Sequence, residues 1–474
     1  MLRKLRIKNF KLWKDTGNIR MAPITLFFGA NSSGKSSIGQ FLMMLKQTIE
    51  SPDRKVVFYP GGRTSAVQLG SFQEMVFHRD PAYKINFEYE WDLQDSLKFK
   101  DPISGHSFSG DTLSFEAEAG VGLKDQHSLV VDRLRYQVIE KKQITASIGM
   151  ERKSGTKAEY KVKSEKYSLK RQKGRAWYPR APVRFYGFPD EVVAYHQNAD
   201  FVQSLNFEHE KLFGMLSYLG PLRIRPERLY SWAGIEPESV GYSGENTVAA
   251  ILAARNRKIS LVKPRAKRAS PARLFEEIIA LKLAEMGLIK EFKVNPISKQ
   301  RQEYEVKIRT KGSRDWVDLP DAGFGISQVL PVLVQCFYAP ANSIIIMEQP
   351  EIHLHPSAQS ALADVMIDVI NSKENGADRN IQLVIETHSE HFLRRLQRRI
   401  AEGAVTQNKV SAYFANVAKT PPKLEPLKID SFGNIQNWPE NFFGDEMEDI
   451  TEQSKAALKK RIAMNTDQEG AYDG

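Results

Sequence analysis

The stretch Gly29-Ala30-Asn31-Ser32-Ser33-Gly34-Lys35-Ser36 matches the phosphate-binding pattern G-x-x-x-x-G-K-[ST] without a mismatch. Before it, residues 24–28 form a short β-rich run, and after it residues 37–49 carry apolar side chains at helical spacing. A strand, a loop and a helix in this order predict a nucleotide-binding loop at a helix N-terminus. A turn that is merely rich in glycine and serine is the alternative, and it explains neither the strand nor the helix.

The residue types in this loop suit a nucleoside triphosphate. Glycines let the backbone turn tightly, so that its N–H groups point at phosphate oxygens. Lys35 is placed to reach the β- and γ-phosphates, and Ser36 is placed to bind Mg²⁺. The expected cofactors are therefore ATP and Mg²⁺.

Length and composition are those of an ordinary globular protein with more than one domain. The chain has 474 residues, of which 41% are hydrophobic and 26% are charged. Because no apolar run approaches the roughly 18 residues of a membrane span, and because the N-terminus leads into an amphipathic strand, we expect a cytoplasmic protein without a membrane partner. The single cysteine, Cys336, lies in an apolar run and is expected to be a buried, inert thiol.

A formal net charge of +11 makes an anionic partner plausible. The excess is concentrated in two clusters, residues 152–180 and residues 255–273. Two interpretations stay open for these clusters. They are either solvated strand faces and a loop, or a surface that binds nucleic acid or an acidic protein.

The pattern along the chain predicts an α/β protein in which an ATPase core is interrupted by insertions. Residues 1–78 form the N-terminal lobe of the core, 79–190 a β-rich insert and 191–310 a helical and hairpin insert; 311–420 form the C-terminal lobe, and 421–474 a tail. Helical spacing marks residues 192–219 and 270–286, the second with Ser270 and Pro271 as its expected start.

Three stretches of the C-terminal lobe give the second half of a nucleotide site. Residues 343–351 read as a buried strand that ends in acids, which would place a carboxylate beside Mg²⁺. Residues 323–328 carry a serine before an apolar helix, and residues 381–389 form another buried strand that ends in His388. The order of phosphate loop, serine signature, acidic strand and histidine is that of ABC-type ATPase heads.

The chain resembles single-chain ABC-type ATPases of the overcoming-lysogenisation-defect-like and structural-maintenance-related group. Residues 348–356, read E-Q-P-E-I-H-L-H-P, are similar to that group's Walker B and D-loop, and Thr387-His388-Ser389 to its switch histidine. Residues 218–245 and 433–443 are similar to small ATPases of anti-phage defence operons. Among these the ATPase subunit of the PARIS system is the most similar, with the Septu ATPase as the nearest competitor.

This resemblance implies a mixed sheet around a P-loop core and a homo-oligomer in which two heads meet head to tail, with ATP between Lys35 of one and Ser327 of the other. Mg²⁺ would be held by Ser36 and Glu348, and His388 would contact the γ-phosphate. Gln73 is the candidate Q-loop residue, with an ordinary polar loop residue as the alternative. The residues implied to hold phosphates are Gly29, Asn31, Ser32, Gly34, Lys35, Ser36 and Ser37.

One position departs from the common ABC pattern. Gln349 stands where a catalytic glutamate usually follows the metal-binding acid, and a glutamine cannot accept a proton from water. Either Glu351 takes that role, which we favour, or hydrolysis is slow and bound ATP acts mainly as a clamp.

The predicted function is an ATP-hydrolysing sensor and scaffold of an anti-phage defence system. Since the stretch after His388 is short for a Toprim nuclease domain, the effector is expected to be a separate Toprim-type nuclease. The trigger is expected to be an acidic, DNA-mimicking phage protein or nucleic acid bound to a basic surface. The alternative function is a DNA-binding ATPase clamp in DNA repair or genome maintenance.

Overall fold

The computed structural model describes residues 1–122, 128–153, 159–172, 174, 178–262, 270–298, 301–310, 312–439, 442 and 451–458. The chain divides into two units, Met1–Gln436 and Asn437–Gly474, and residues 451–458 of the second unit are helical. Some residues of the basic clusters and of the tail fall outside the described residues, namely Lys157, Lys173, Arg175, Trp177, Lys263, Arg265, Lys267, Arg268, Glu440, Asn441 and Phe443.

The elements of the first unit are numbered in chain order. The strands are β1 Leu2–Phe10, β2 Trp13–Asp15, β3 Ile19–Arg20, β4 Ile24–Gly29, β5 Ile85–Lys100, β6 Ser107–Val121, β7 Leu129–Glu140, β8 Gln143–Arg152, β9 Tyr160–Glu165, β10 Leu216–Leu219, β11 Tyr230–Ser231, β12 Lys258–Ser260, β13 Arg273–Leu274, β14 Glu291–Pro296, β15 Glu303–Arg309, β16 Val317–Asp318, β17 Ile344–Glu348, β18 Lys373–Glu374, β19 Ala377–Asp378, β20 Gln382–Glu386, β21 Val410–Asn416 and β22 Lys423–Leu427. The α-helices are α1 Lys35–Glu50, α2 Phe72–Met75, α3 Asp190–Tyr195, α4 Phe201–Gly214, α5 Thr247–Ala253, α6 Phe275–Glu285, α7 Phe324–Tyr338, α8 Pro356–Ile370 and α9 Glu390–Ala401.

A six-stranded sheet of order β10-β17-β20-β4-β21-β22 carries the predicted nucleotide motifs. Its strands are parallel except for the antiparallel pair β21 and β22. Strands β17 and β20 are apolar and fully buried, as parallel strands covered on both faces require. Their last residues, Glu348 and Glu386, are paired in register, so both carboxylates lie at the same edge as the end of β4.

Helix α1 packs against β4, β17 and β20 and against α4. Gly39 sits in the middle of this helix, where glycine costs roughly 1 kcal/mol relative to alanine. A Cβ at Gly39 would come within 2.9 Å of the Ile346 side chain, so the glycine permits the close approach of α1 to β17. Phe41 of α1 packs edge-on against Phe10 and Phe87, with ring centroids 5.1 and 5.2 Å apart, and so joins the helix to a second sheet.

That second sheet is antiparallel, of order β2-β1-β5-β6-β7-β8-β9 with β3 paired to β1. Side chains alternate between buried and partly exposed along the first half of β5, which is the pattern of a sheet with one face on the core. The opposite face carries charges of both signs that pair across strands, as Lys4 does with Glu88 and Arg135 with Glu116, at N–O distances of 2.9 Å each. This face is therefore largely charge-compensated.

The helical expectation for residues 192–219 is wrong at its C-terminal end. Residues Leu216–Leu219 form β10, which pairs in parallel with β17 and extends the central sheet. A short apolar run fits a strand and a helix equally well, and the available sheet edge decides between them. Helix α6 begins at Phe275 rather than at Ser270, because Arg273 and Leu274 pair with β12.

The fold is therefore α/β, with a mixed sheet around a P-loop core and with an inserted antiparallel region, as predicted. None of the helices among the described residues has the length and apolar character needed to cross a bilayer. Cys336 is buried as expected, and burial raises the pKa of its thiol to about 12.

Candidate functional site

The phosphate loop lies between the end of β4 and the start of α1. Its backbone needs positive φ at Gly29 (143°), Ser32 (60°) and Gly34 (86°), a region that favours glycine. Gly34 is also crowded, since a Cβ there would lie 3.2 Å from Nε1 of Trp13. The Trp13 indole donates to the Gly34 carbonyl oxygen at 3.1 Å and to Ser37 Oγ at 2.9 Å. The hairpin of β1 and β2 thus fixes the loop from outside.

Helix α1 opens towards this loop in a form that suits an anion. Gly34 provides no side-chain cap, and the first turn contains no acidic residue. The N–H groups and the positive end of the helix dipole therefore remain available to phosphate oxygens. Asn31 and Ser32 are exposed at the mouth of the loop, whereas Ser37 is buried behind it.

Lys35 is held inside this loop. Its Nζ donates to the carbonyl oxygens of Gly29 at 3.0 Å and Ala30 at 2.7 Å, and lies 3.9 Å from Oε1 of Glu386. Burial lowers the pKa of Lys35, against the opposing effects of Glu386 and Glu348. The ammonium group is thus a concentrated positive charge in a poorly hydrated place.

Glu348 ends β17 at the edge where the loop lies. The Tyr218 hydroxyl donates to its Oε1 at 2.7 Å. Burial and then the neighbouring charge of Glu386 raise the pKa of Glu348 to about 7, although Tyr218 and two lysines counteract them. One hydrogen bond therefore orients the carboxylate, and its surroundings disfavour the negatively charged form.

Two further residues of this edge were missed as site residues by the sequence interpretation. Glu386 ends β20 beside Lys35 and Ser36, and its position directly before Thr387-His388-Ser389 was the available signal. Arg223 follows β10 and donates to the carbonyl oxygens of Glu348 at 3.1 Å and Gln349 at 3.3 Å. Burial lowers the pKa of Arg223 to about 10, with nearby Glu351 opposing the shift.

Glu351, Gln349 and His388 lie together behind the two acidic strand ends. Oε1 of Glu351 accepts from the Thr387 hydroxyl at 2.6 Å and from the His388 backbone N–H at 2.8 Å. Burial raises the pKa of Glu351, and burial followed by the charge of Lys35 lowers that of the half-buried His388. Gln349 has a positive φ of 45° and donates its N–H to the Glu386 carbonyl oxygen. The structure thus ties the turn after β17 to the turn after β20.

Ser327 and Gln73 stand apart from this group. Ser327 lies in the first turn of α7, buried, with its hydroxyl donating to the Phe324 carbonyl oxygen at 2.7 Å. Gln73 is exposed on the short helix α2. In the described part of the chain, neither side chain forms a hydrogen bond with the phosphate loop or with the acidic strand ends.

The family described as "AAA domain, putative AbiEii toxin, Type IV TA system" matches residues 141–394, more than half of the chain. The chain belongs to this family. A second family, "AAA ATPase domain", matches residues 1–176, and "Protein of unknown function (DUF3696)" matches residues 405–453. With the phosphate loop and acidic strand in place, the protein is an AAA-type ATPase, an enzyme that hydrolyses ATP.

Solved structures similar to this chain include heads of SMC proteins. One is the SMC head domain from Thermotoga maritima, with 11% identity, 90% of this chain and 99% of that chain covered, and a TM-score of 0.39. Another is the Smc head domain with an extended coiled coil bound to the C-terminal domain of ScpA, derived from Pyrococcus furiosus, with 9% identity, 90% and 96% covered, and a TM-score of 0.42. A comparison with curated proteins gave no significant match.

Proposed function

We propose that this ATPase binds Mg²⁺-ATP at the phosphate loop and uses ATP turnover as the switch of an anti-phage defence complex. One observation carries the nucleotide part of this proposal. Chain segments as far apart as Lys35 and Glu386 meet within 3.9 Å at one edge of a parallel sheet, where ligands of α/β folds bind. The uncapped N-terminus of α1 supplies the anion-binding half, and the buried carboxylates supply the cation-binding half.

Each predicted site residue has a proposed part in this arrangement. Ser36 and Glu348 would hold Mg²⁺, which would neutralise charge on the phosphates. His388 would face the γ-phosphate as a neutral imidazole, because its pKa is lowered. The phosphates would be held by Gly29, Asn31, Ser32, Gly34, Lys35, Ser36 and Ser37. Gln73 remains a candidate Q-loop residue, whose side chain would contact the attacking water or the metal ion.

Glu351 is the proposed general base. It offers a carboxylate three positions after Glu348, and its Oε2 has no hydrogen-bond partner among the described residues. Burial raises the pKa of Glu351 above that of an exposed glutamate, which makes the carboxylate a stronger base. Gln349, which cannot accept a proton, would position the turn through its backbone instead.

Ser327 fits this proposal only if a second copy completes the site. The side chain is separate from the phosphate loop of its own chain, whereas the neighbouring Phe324 is 53% exposed at the start of α7. We therefore propose that two heads meet head to tail and that the α7 N-terminus of one approaches the nucleotide of the other. Sedimentation of the protein with and without a non-hydrolysable ATP analogue tests this, and a monomer under both conditions would contradict it.

The defence role rests on the family and on the sequence resemblance. The family description includes a putative abortive-infection toxin, and two further stretches are similar to the ATPase subunit of the PARIS system. A separate Toprim-type nuclease would be the effector that this ATPase holds or releases.

The first basic cluster would provide the surface for an acidic phage protein or for nucleic acid. In the first cluster Lys163 pairs with Glu151, and Arg152 lies 3.5 Å from Asp132. Tyr160 and Tyr167 are buried rather than available to a partner. Changing Lys161, Lys163, Lys166 and Lys170 to glutamate should weaken trigger binding without changing ATP turnover, and unchanged binding would leave a solvated sheet face.

The defence function is tested by phage plating on cells that carry the gene with its neighbouring reading frames. Wild-type cells should reduce plating, and Lys35→Ala should abolish the reduction. Lys46→Ala is the matched control, because Lys46 lies in the same helix but outside the phosphate loop. Its Nζ is 2.6 Å from Oε1 of Glu50. Equal plating on wild-type and Lys35→Ala cells would contradict the proposal. Duplex DNA binding by the wild-type chain alone, steeply salt-dependent, would favour the DNA-clamp alternative.

A further inference from the structure

Glu386 is a buried carboxylate for which the sequence motifs give no role. Its side chain is 9% exposed and lies at the end of β20, in register with Glu348. Oε1 is 3.9 Å from Lys35 Nζ, and the Ser36 hydroxyl lies close enough to act on the carboxylate as a hydrogen-bond donor. Oε2 is buried and has no hydrogen-bond partner in the described part of the chain.

Such an oxygen is costly to leave without a partner. A buried, ionised carboxylate is retained in proteins when it is paired or when it binds a metal ion. Here Glu348 and Glu386 bring two negative charges together, and Lys35 is the one ammonium group within 4 Å of either carboxylate among the described residues. The two carboxylates therefore share one close ammonium group, and they lose it once Lys35 turns to a phosphate.

The open oxygen also has the right neighbours for a hard cation. Carboxylate and hydroxyl oxygens are the ligands that Mg²⁺ prefers, and Mg²⁺ in nucleotide sites is commonly held by one or two carboxylates together with the phosphates. Glu386 is within the reach of the Ser36 hydroxyl and is paired in register with Glu348 on the neighbouring strand. Tyr218 occupies only Oε1 of Glu348.

We propose that Glu386 is a ligand of the Mg²⁺ that accompanies ATP, together with Ser36 and Glu348. This proposal rests on the proposed nucleotide site and adds a second carboxylate to it. With nucleotide bound, Lys35 would turn from the Glu386 carboxylate to the phosphates, and Glu386 would then be free to hold Mg²⁺. Glu386 thereby connects phosphate recognition by Lys35 to metal binding.

The test is the Mg²⁺ dependence of nucleotide binding rather than turnover. The midpoint of thermal unfolding is measured with a non-hydrolysable ATP analogue at fixed concentration while Mg²⁺ is varied. Glu386→Gln should require roughly 10- to 100-fold more Mg²⁺ for half of the stabilisation, the range expected when a carboxylate at a metal site is lost. Stabilisation by the analogue without Mg²⁺ should be unchanged or larger, because Lys35 loses a competitor.

Glu425→Gln is the matched control, since Glu425 lies on β22 of the same sheet, partly exposed and paired with Lys419. It should leave the Mg²⁺ requirement unchanged. If Glu386→Gln has the wild-type Mg²⁺ requirement, Glu386 serves only as a partner for Lys35 and the proposal is wrong. If instead the wild-type protein is not stabilised by the analogue at all, the proposed nucleotide site fails first.

Folding is checked by circular dichroism. Should Glu386→Gln not fold, Glu386→Asp takes its place, because it keeps the charge and shortens the side chain by one methylene group. We expect it to raise the Mg²⁺ requirement by a smaller factor than the loss of the carboxylate would. A wild-type requirement in Glu386→Asp would then overturn the proposal.

Discussion

Two regions of this protein bury polar side chains in opposite ways. One is the carboxyl edge of the central sheet, with Lys35, Glu348 and Glu386. The other is the interior below the antiparallel sheet, where His209 of α4 is fully buried. We call the second region the His209 cluster; it consists of His209 with Tyr89, Trp91, Phe115, Tyr136, Phe185, Tyr186 and Phe213.

Within the His209 cluster, both nitrogens of His209 and the hydroxyls of Tyr89 and Tyr136 have hydrogen-bond partners, whereas Nε1 of Trp91 is buried without one among the described residues. Tyr136 donates its hydroxyl proton to the Tyr186 carbonyl oxygen at 3.1 Å, so Nδ1–H of His209 donates to the Tyr136 oxygen at 2.8 Å. The other nitrogen, Nε2, accepts from the Tyr89 hydroxyl at 2.7 Å. The imidazole also stacks on Tyr186 with centroids 4.5 Å apart. The network of His209, Tyr89 and Tyr136 is thus complete without a ligand.

At the carboxyl edge of the central sheet, several buried polar atoms have no hydrogen-bond partner among the described residues. Within the described residues, Oε2 of Glu351, Oε2 of Glu386 and Nε of Arg223 are buried without a hydrogen-bond partner. Native proteins satisfy nearly all of their buried polar atoms, so such exceptions need an explanation. Three such atoms belong to residues of the sheet edge, an arrangement that suits a ligand, whereas the hydrogen bonds of His209, Tyr89 and Tyr136 stabilise the fold.

The largest expected effect is on the stability of the complete network. His209→Ala should lower the free energy of unfolding by about 3–5 kcal/mol, because it leaves a cavity between aromatic rings and removes the partner of two buried hydroxyls. Urea denaturation measures this difference. Phe207→Ala, on the same helix but 62% exposed, is the control and should have little effect. Equal losses in both variants would show that the network adds nothing specific.

At the incomplete edge the expected loss is one of activity. Lys35→Ala should lower ATP turnover about 10³-fold, because the charge that meets the transferring phosphate is gone. Folding should be retained, and the paired Lys46 in the same helix provides the control Lys46→Ala, which should keep near-wild-type turnover. Steady-state phosphate release measures both. Wild-type turnover by Lys35→Ala would contradict the phosphate-loop assignment.

A smaller effect separates Glu351, the proposed general base, from Gln349 in the same turn. Glu351→Gln should slow the chemical step about 10²-fold, because the amide still accepts from Thr387 and His388 but cannot take up a proton. Gln349→Ala should change it by less than about threefold, because its recorded contacts are made by the backbone. Single-turnover experiments with saturating ATP provide the rates. A larger loss of rate in Gln349→Ala than in Glu351→Gln would contradict the assignment of Glu351 as the general base.

The smallest effect is a pH dependence that belongs to the His209 cluster. Burial lowers the pKa of His209 well below its ordinary value of 6.5, so the folded protein binds fewer protons than the unfolded chain. The contribution of neutral His209 to the free energy of unfolding is therefore fully present above about pH 6.5, and it is lost progressively as the pH falls below that value. Between pH 7 and pH 5 the wild-type protein should lose about 2 kcal/mol more than His209→Phe, as measured by urea denaturation. If both proteins lose the same free energy of unfolding between pH 7 and pH 5, protonation of His209 does not cause the pH dependence.

Local sequence determined much of the fold and part of the site. The phosphate loop, β4 and α1 followed from glycine spacing and apolar periodicity, because backbone conformation at a loop and helix N-terminus depends on neighbouring residues. The apolar runs of β17 and β20 likewise predicted buried parallel strands. The burial of Cys336 was also predictable, because the neighbouring residues in the sequence are apolar.

Tertiary structure alone decided which side chains meet at the strand ends. Tyr218 contacts Glu348 across 130 positions, and Arg223 reaches the same turn only because residues 216–219 join the sheet edge as a strand. The position of Glu386 beside Lys35 depends on the register between β20 and its two neighbours. No local pattern encodes these distances, because strand order and register are set by the packing of the whole sheet.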